Sequence, residues 1–249
     1  MKPDAFFTLF SGLPRQGPGS TVSTLHALRL LPQLPPAPRV FDMGCGTGRQ
    51  TLVLARALRT RVVAVDTHQP FLEELARNAQ SAGLAERIET RCVSMDALQE
   101  PAESIQLIWS EGAAYILGVA RALRVWRPLL VAGGLLAFTE ASWLIENPPA
   151  EVADFWKREY PEIAGVQENC ARAQAEGYEI LDTFVLPASD WWEEYYTPLQ
   201  QRIAALRPEA ANWPELAQVI AGTEQEIDMF ARHEESYGYV FYLLRKPTK

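Results

Sequence analysis

The chain has 249 residues, 48% of them hydrophobic, enough to bury a substantial core, which excludes a disordered or fibrous chain. A net charge of −8 repels polyphosphate, and the one basic row that could offset it, Arg121, Arg124 and Arg127, has the spacing of a solvated helix face, so no nucleic-acid partner is expected. No stretch reaches the roughly 18–20 apolar residues of a membrane span, and Met1-Lys2-Pro3-Asp4 lacks the basic-then-apolar order of a secretion signal, so no membrane association and a cytoplasmic location are expected.

In chain order, the first element is a helix over 21–31, with Ser20 able to cap it and Val22, Leu25, Leu28 and Leu31 among its apolar residues. The proline-rich run 32–38 cannot continue a helix and separates an N-terminal segment (1–38) from a core (39–186). Short apolar runs then alternate with helical patterns. Strands are predicted at 39–42, 62–66, 88–93, 105–109 and 134–139, with helices at 50–59, 70–82 and 118–127, a series that implies a parallel sheet covered by helices. Helices follow at 150–159 and 168–176, then strands at 178–186 and 237–245. Between those two strands lies a mostly helical insertion, 187–236, and the chain closes with 237–249. Cys45, Cys92 and Cys170 are odd in number and widely spaced, which predicts reduced thiols and no metal site.

The strongest chemical signal closes the first core strand: Val40-Phe41-Asp42-Met43-Gly44-Cys45-Gly46-Thr47-Gly48. Three alternating glycines let the backbone turn sharply and approach a ligand, while the next helix presents unpaired N–H groups, so a nucleotide-like ligand is expected. A dinucleotide fingerprint would want glycine at position 49, where the chain has Arg49. Asp66 ends the second strand, where a carboxylate can accept both hydroxyls of a ribose; an Asp capping the next helix is the plainer alternative.

Asp-x-Gly-x-Gly-x-Gly with the acid two residues before the first glycine resembles motif I of the class I S-adenosylmethionine (SAM)-dependent methyltransferases. The resemblance implies an α/β fold with a Rossmann-like sheet of seven strands in the order 3-2-1-4-5-7-6, helices on both faces, the seventh strand antiparallel, and a single domain over the whole chain. It implies SAM as cofactor, S-adenosylhomocysteine (SAH) as product and no metal. Asp42, Gly44, Cys45, Gly46 and Gly48 would form the cofactor loop, and Asp66 with Thr67 the ribose site. Met95, Asp96 and Ala97 match the family's adenine-binding segment; a surface-turn Asp beside a buried Met is the alternative. Ser110 and Glu111 would lie at the methionine end, under a loop in which Arg15 and Gly17 close over that end and Arg15 pairs with the carboxylate.

The family's amine-binding motif of Asn or Asp, two prolines and an aromatic is absent after the fourth strand, where the chain reads Ser110-Glu111-Gly112-Ala113-Ala114-Tyr115. Asn147-Pro148-Pro149 follows the fifth strand and reads as a turn. The implied reaction is direct SN2 methyl transfer to a small-molecule acceptor, for which the protein supplies alignment, exclusion of water and, where needed, a base. Candidate bases are Glu111, Glu140, Tyr115 and, more remotely, His26; either carboxylate could instead hold a cationic substrate. Trp191, Trp192, Tyr195 and Tyr196 are expected to wall a substrate cap, with core packing as the competing reading. A nicotinamide-dependent oxidoreductase, a non-catalytic SAM-binding partner subunit and a methyltransferase acting on RNA or protein stay open, as does a homodimer; the acidic balance and the missing amine-binding motif count against the last of these enzymes.

Overall fold

The computed structural model describes residues 4–248. Its sheet is built from β1 (Val40–Met43), β2 (Val62–Asp66), β3 (Ile88–Cys92), β4 (Ile105–Ser110), β5 (Leu130–Trp143), β7 (Glu179–Val185) and β8 (Tyr237–Arg245) in the order β3-β2-β1-β4-β5-β8-β7, with a two-residue β6 (Ala164–Gly165) pairing the far end of β5. Strands β1 to β5 run parallel, and β8 is antiparallel to both β5 and β7. Without the short β6 this is the expected seven-strand order. The order reverses between β1 and β4, which opens a crevice at their carboxyl ends.

Alternation along the strands separates two cores. Phe41, Val63, Val65, Ile108 and Phe138 face one side, packing with Ala122 and Trp126 of α5 (Val119–Trp126) and Ala173 of α7 (Val166–Ala175). Val40, Val62, Leu107, Trp109 and Ala137 face the other, against Ala27 of α2 (Thr21–Leu30) and Leu54 and Ala55 of α3 (Arg49–Leu58). All four residues of β1 are buried, as a central parallel strand covered on both faces requires. The helix α4 (Gln69–Ser81) follows β2, with Pro70 in its first turn.

A third apolar cluster lies beyond the sheet edge and joins parts remote in sequence. It unites Leu9 and Phe10 of α1 (Ala5–Phe10), Val152, Phe155 and Trp156 of α6 (Ala150–Glu159), and the insertion: α8 (Ala188–Trp191), a π-helical stretch Trp192–Tyr196, α9 (Thr197–Ala210) and α10 (Pro214–His233). The sequence reading left α1 unassigned, since one and a half turns carry too short a period to detect. Asp4 accepts the N–H groups of Phe6 and Phe7 and so caps it. Among the described residues no helix is long and apolar enough to cross a membrane, and no group of His, Cys, Asp and Glu side chains has the arrangement of a metal site.

Candidate active site

The loop after β1 turns through three glycines with φ of +69° at Gly44, +55° at Gly46 and +78° at Gly48. The need at Gly44 is steric as well as torsional, because a Cβ there would overlap the Cβ of Ala113 in the segment after β4. The N–H groups of Gly44 and Cys45 both donate to the Val65 carbonyl, at 2.8 and 2.9 Å, which ties the loop to β2. Above it, Gln16 Oε1 accepts from the Thr47 N–H and hydroxyl at 3.1 and 3.0 Å.

Asp42, expected among the cofactor ligands, lies beneath this loop and not in the cavity. It is fully buried, and its carboxylate accepts from the Thr51 hydroxyl at 2.5 Å and from Gln50 Nε2 at 3.4 Å. Burial, reinforced by the nearby Glu111, pushes its titration up to about 7 in spite of the Thr51 bond. Its place is that of a brace between β1 and α3. Gly48 is likewise internal, pressed against Leu75 of α4.

A cavity of about 210 Å³ opens at the carboxyl ends of β1, β2 and β4. Its wall includes Gly44, Cys45, Gly46 and Thr47 of the loop, Asp66 and Thr67 after β2, Glu111, Gly112, Ala113 and Tyr115 after β4, and Arg15, Gln16 and Gly17 from the N-terminal segment. Of the residues the sequence singled out, Arg15, Gly17, Gly44, Cys45, Gly46, Asp66, Thr67, Glu111 and Tyr115 are thus brought together. A larger open groove of about 760 Å³ lies behind the loop between α2, α3 and α4, but none of its lining residues carries a buried polar atom without a partner. The chemistry therefore gathers in the smaller cavity.

The Asp66 carboxylate accepts the Gly46 N–H at 2.9 Å on one oxygen and the His68 N–H at 2.8 Å on the other. Each oxygen keeps a lone pair, so helix entry and ligand binding are compatible roles for this one side chain. Phe6 and Phe7 of α1 and Phe71 of α4 add an apolar wall, with the Phe7 ring stacked on His68 at 3.6 Å between centroids. These rings were missed from sequence together with Gln16 and Thr47; the Asp4 cap is the only local signal that could have found α1.

The expected adenine segment is placed outside the cavity wall. The Asp96 carboxylate accepts from the Ser94 hydroxyl at 2.5 Å and pairs with Arg121 at 2.6 Å, and these contacts, the Ser94 bond foremost, lower its titration. Met95 is buried beneath Gly44, its carbonyl accepting from Trp126 Nε1 at 3.0 Å, and Ala97 closes the turn back to Ser94. Ser110 is fully buried, and its hydroxyl donates to the Met43 carbonyl, binding β4 to β1.

Arg15 and Glu111 form a buried pair, Nη1 to Oε2 at 2.7 Å with each side chain 4% exposed. The other Glu111 oxygen accepts from the Thr24 hydroxyl and from Trp109 Nε1, both at 2.8 Å. With three donors already on its carboxylate, Arg15 among them, Glu111 orients Arg15 and is the less apt candidate for a base. Arg15 in turn has Nε and Nη2 buried with no hydrogen-bond partner. Glu194 of the π-helical stretch lies 4.0 Å from Arg15 Nε and 3.8 Å from Arg49 Nε, which brings the insertion to the rim.

Glu140, near the end of β5, has the opposite environment. It is 2% exposed and neither oxygen has a hydrogen-bond partner. Burial pushes its titration up to about 8, tempered by the facing Tyr160 hydroxyl and by Arg172. Tyr115 sits on the cavity rim, where burial and two carboxylates, Glu226 and Glu140, push its hydroxyl up. His26 packs edge-on to Phe184 at 4.6 Å and does not line the cavity.

The aromatic quartet of the insertion does not line the cavity either. Trp191, Tyr195 and Tyr196 are buried, and Trp192 is half-buried against the same cluster. Trp191 stacks on Phe230 at 4.2 Å and meets Tyr239 and Tyr237 edge-on. The expected cap wall is therefore a packing core that pins the insertion to the sheet, because rings spaced along a π-helical turn meet α10 and β8 before they can reach the crevice.

Residues 40–134 match the family model described as a methyltransferase domain. Three similar solved structures cover nearly the whole chain. A SAM-dependent methyltransferase from Geobacter sulfurreducens in complex with S-adenosyl-L-homocysteine shares 21% identity and covers 98% of this chain and 98% of its own, with a TM-score of 0.81. One from Thiobacillus denitrificans, also with S-adenosyl-L-homocysteine, shares 22% over 98% of both chains at 0.79. A (4+2)-cyclase shares 22%, covering 96% of this chain and 87% of its own, at 0.72.

Proposed function

We propose that this methyltransferase domain binds SAM in the glycine-loop cavity and transfers the methyl group to a small-molecule acceptor by direct SN2 displacement. The whole chain acts as one unit in this reading, with the core holding the cofactor and the 187–236 insertion closing the acceptor side. The observation that carries it is that one cavity is lined both by the Asp66 carboxylate beside the glycine loop and by the buried Arg15 guanidinium. Asp66 has lone pairs for the ribose hydroxyls, and Arg15, held in place by Glu111, has Nη2 without a hydrogen-bond partner and so able to donate to the methionine carboxylate. Gly112 and Tyr115, on the same cavity wall, would flank the methionine end. The relatives crystallised with S-adenosyl-L-homocysteine support the same cofactor. Since the donor carries its own activation, the protein's part is alignment and exclusion of water.

Calorimetry with SAH and with NAD tests the cofactor. Release of SAH from SAM in the presence of small metabolites tests the reaction. The likeness to a (4+2)-cyclase supports a second reading, in which the fold keeps the cavity but rearranges its substrate without methylating it. Product formed with no SAH released would select that reading.

A further inference from the structure

We infer that the acceptor is a small amine whose cationic head docks on the Glu140 carboxyl beside the rings of Tyr115, Tyr160 and Tyr239; this rests on the methyl-transfer reading above.

A buried carboxylate with no partner is costly, most of all when ionised, and an unpaired acid of this kind marks a place that something else completes. Both Glu140 oxygens are unpaired, and the group forms no ion pair among the described residues. The charged groups acting on it are few. Arg172 of α7 is the one cation, and it is already engaged by Glu168 at 2.8 Å, by the Glu162 carbonyl and by Asn169. Glu162 adds negative charge. The hydroxyl of Tyr160 is itself buried without a partner. A second acid, Glu226 of α10, adds to the negative field on Tyr115, Tyr195 and Tyr239, and burial raises its titration too.

Glu140 is linked to the cofactor cavity through Thr139 and Tyr115. Thr139, next to Glu140 on β5, accepts the N–H of Gly112 at 2.8 Å, and Gly112 lines the cavity. A Cβ at Gly112 would lie 3.4 Å from the Tyr239 hydroxyl. Tyr115 lines the cavity as well, and its ring meets that of Tyr160 edge-on at 5.8 Å. A group held at Glu140 is thus next to the residues that would flank the methionine end.

Phenol rings around an unpaired carboxyl attract a cation, by the ring faces and by charge together, whereas an anionic acceptor would meet two acids. The chemistry then balances as follows. In its ionised form, populated as pH approaches about 8, Glu140 accepts a proton from the ammonium, and the freed nitrogen lone pair forms the new N–C bond as the C–S bond of SAM breaks. The bonding pair stays on sulfur as neutral SAH, the N-methylammonium leaves, and Glu140 returns its proton to water. A carboxyl kept basic by burial suits that task better than an ordinary one.

The test uses the full chain with SAM and a panel of primary and secondary amines, ethylamine to benzylamine, each matched with the alcohol of the same skeleton. SAH formation is the readout, and SAH affinity is measured separately by calorimetry. At least one amine should be methylated tenfold or more faster than its alcohol, and Glu140→Gln should lower that rate at least tenfold while changing SAH affinity less than twofold. Normal SAH binding with no amine better than its alcohol would overturn the inference alone, as would full amine use by the variant. Failure of SAH to bind the wild type would overturn the cofactor reading and this one with it. Should the variant not fold, the amine and alcohol comparison in the wild type decides.

Discussion

Asp42 offers a quantitative test because a single buried carboxyl sets both the sign and the size of the effect. Burial first, and the neighbouring Glu111 after it, move its titration from 3.8 to about 7 against the opposing Thr51 hydrogen bond. A group that titrates higher in the folded state contributes stability that is complete below 3.8 and is lost as pH rises through about 7. At about 1.4 kcal/mol per unit, the window of roughly 3 units corresponds to about 4 kcal/mol. Asp42→Asn removes the titration yet keeps a carbonyl oxygen for the Thr51 hydroxyl, and Gln50 retains its bond to the Cys45 carbonyl at 3.1 Å. Urea unfolding of both proteins at about pH 5.5 and about pH 8.5 isolates the effect. The wild type should lose about 2 kcal/mol relative to the variant between those two conditions, being about 1.5 units of the window. Glu140, which titrates at about 8 in both proteins, cancels in the difference. A gap between the two proteins that stays constant to within about 0.5 kcal/mol would refute the burial argument.

Asp66→Ala should weaken SAH binding roughly tenfold or more, because it removes a charge-assisted acceptor worth about 1.5–3 kcal/mol and also frees the Gly46 and His68 N–H groups. Gly46→Val should do the same, since its Cβ would stand 2.7 Å from Gln16 Oε1 at a φ of +55°; calorimetry on the folded variants measures both, and unchanged affinity would sink the site. SAM and SAH should raise the melting temperature while NAD and NADP do not, and a larger shift with NAD at matched concentration would contradict the cofactor. Trp191→Leu should cost roughly 2–4 kcal/mol in urea unfolding, because the ring is 2% exposed and stacked on Phe230. Unchanged stability with a selective loss of turnover would instead return Trp191 to the substrate wall.

The parts of this protein legible in its sequence are those whose causes lie within a few residues of one another. The glycines at 44, 46 and 48 declare a sharp turn because only glycine adopts their φ at no cost, and the apolar runs around them declare a buried parallel strand. The strand series and the helical insertion are local patterns too, and by themselves they place Asp66 and Glu111 at strand ends. What tertiary structure decided is the use made of each side chain. Arg15 and Glu111 are 96 positions apart, and only their meeting turns one into a free guanidinium and the other into its clamp. Asp96 finds Arg121, 25 positions on, and Asp42 slips beneath the loop that its motif decorates. Trp191 and Tyr196 carry the same composition whether they face a substrate or Phe230, and it is the docking of α10 and β8 that chooses. Glu140 is a candidate base in sequence by its place at the end of the fifth strand, yet nothing local tells that it is buried. Elements folded around it from far along the chain deprive it of water and of any partner, and burial is a property of the whole chain's packing that no local pattern encodes.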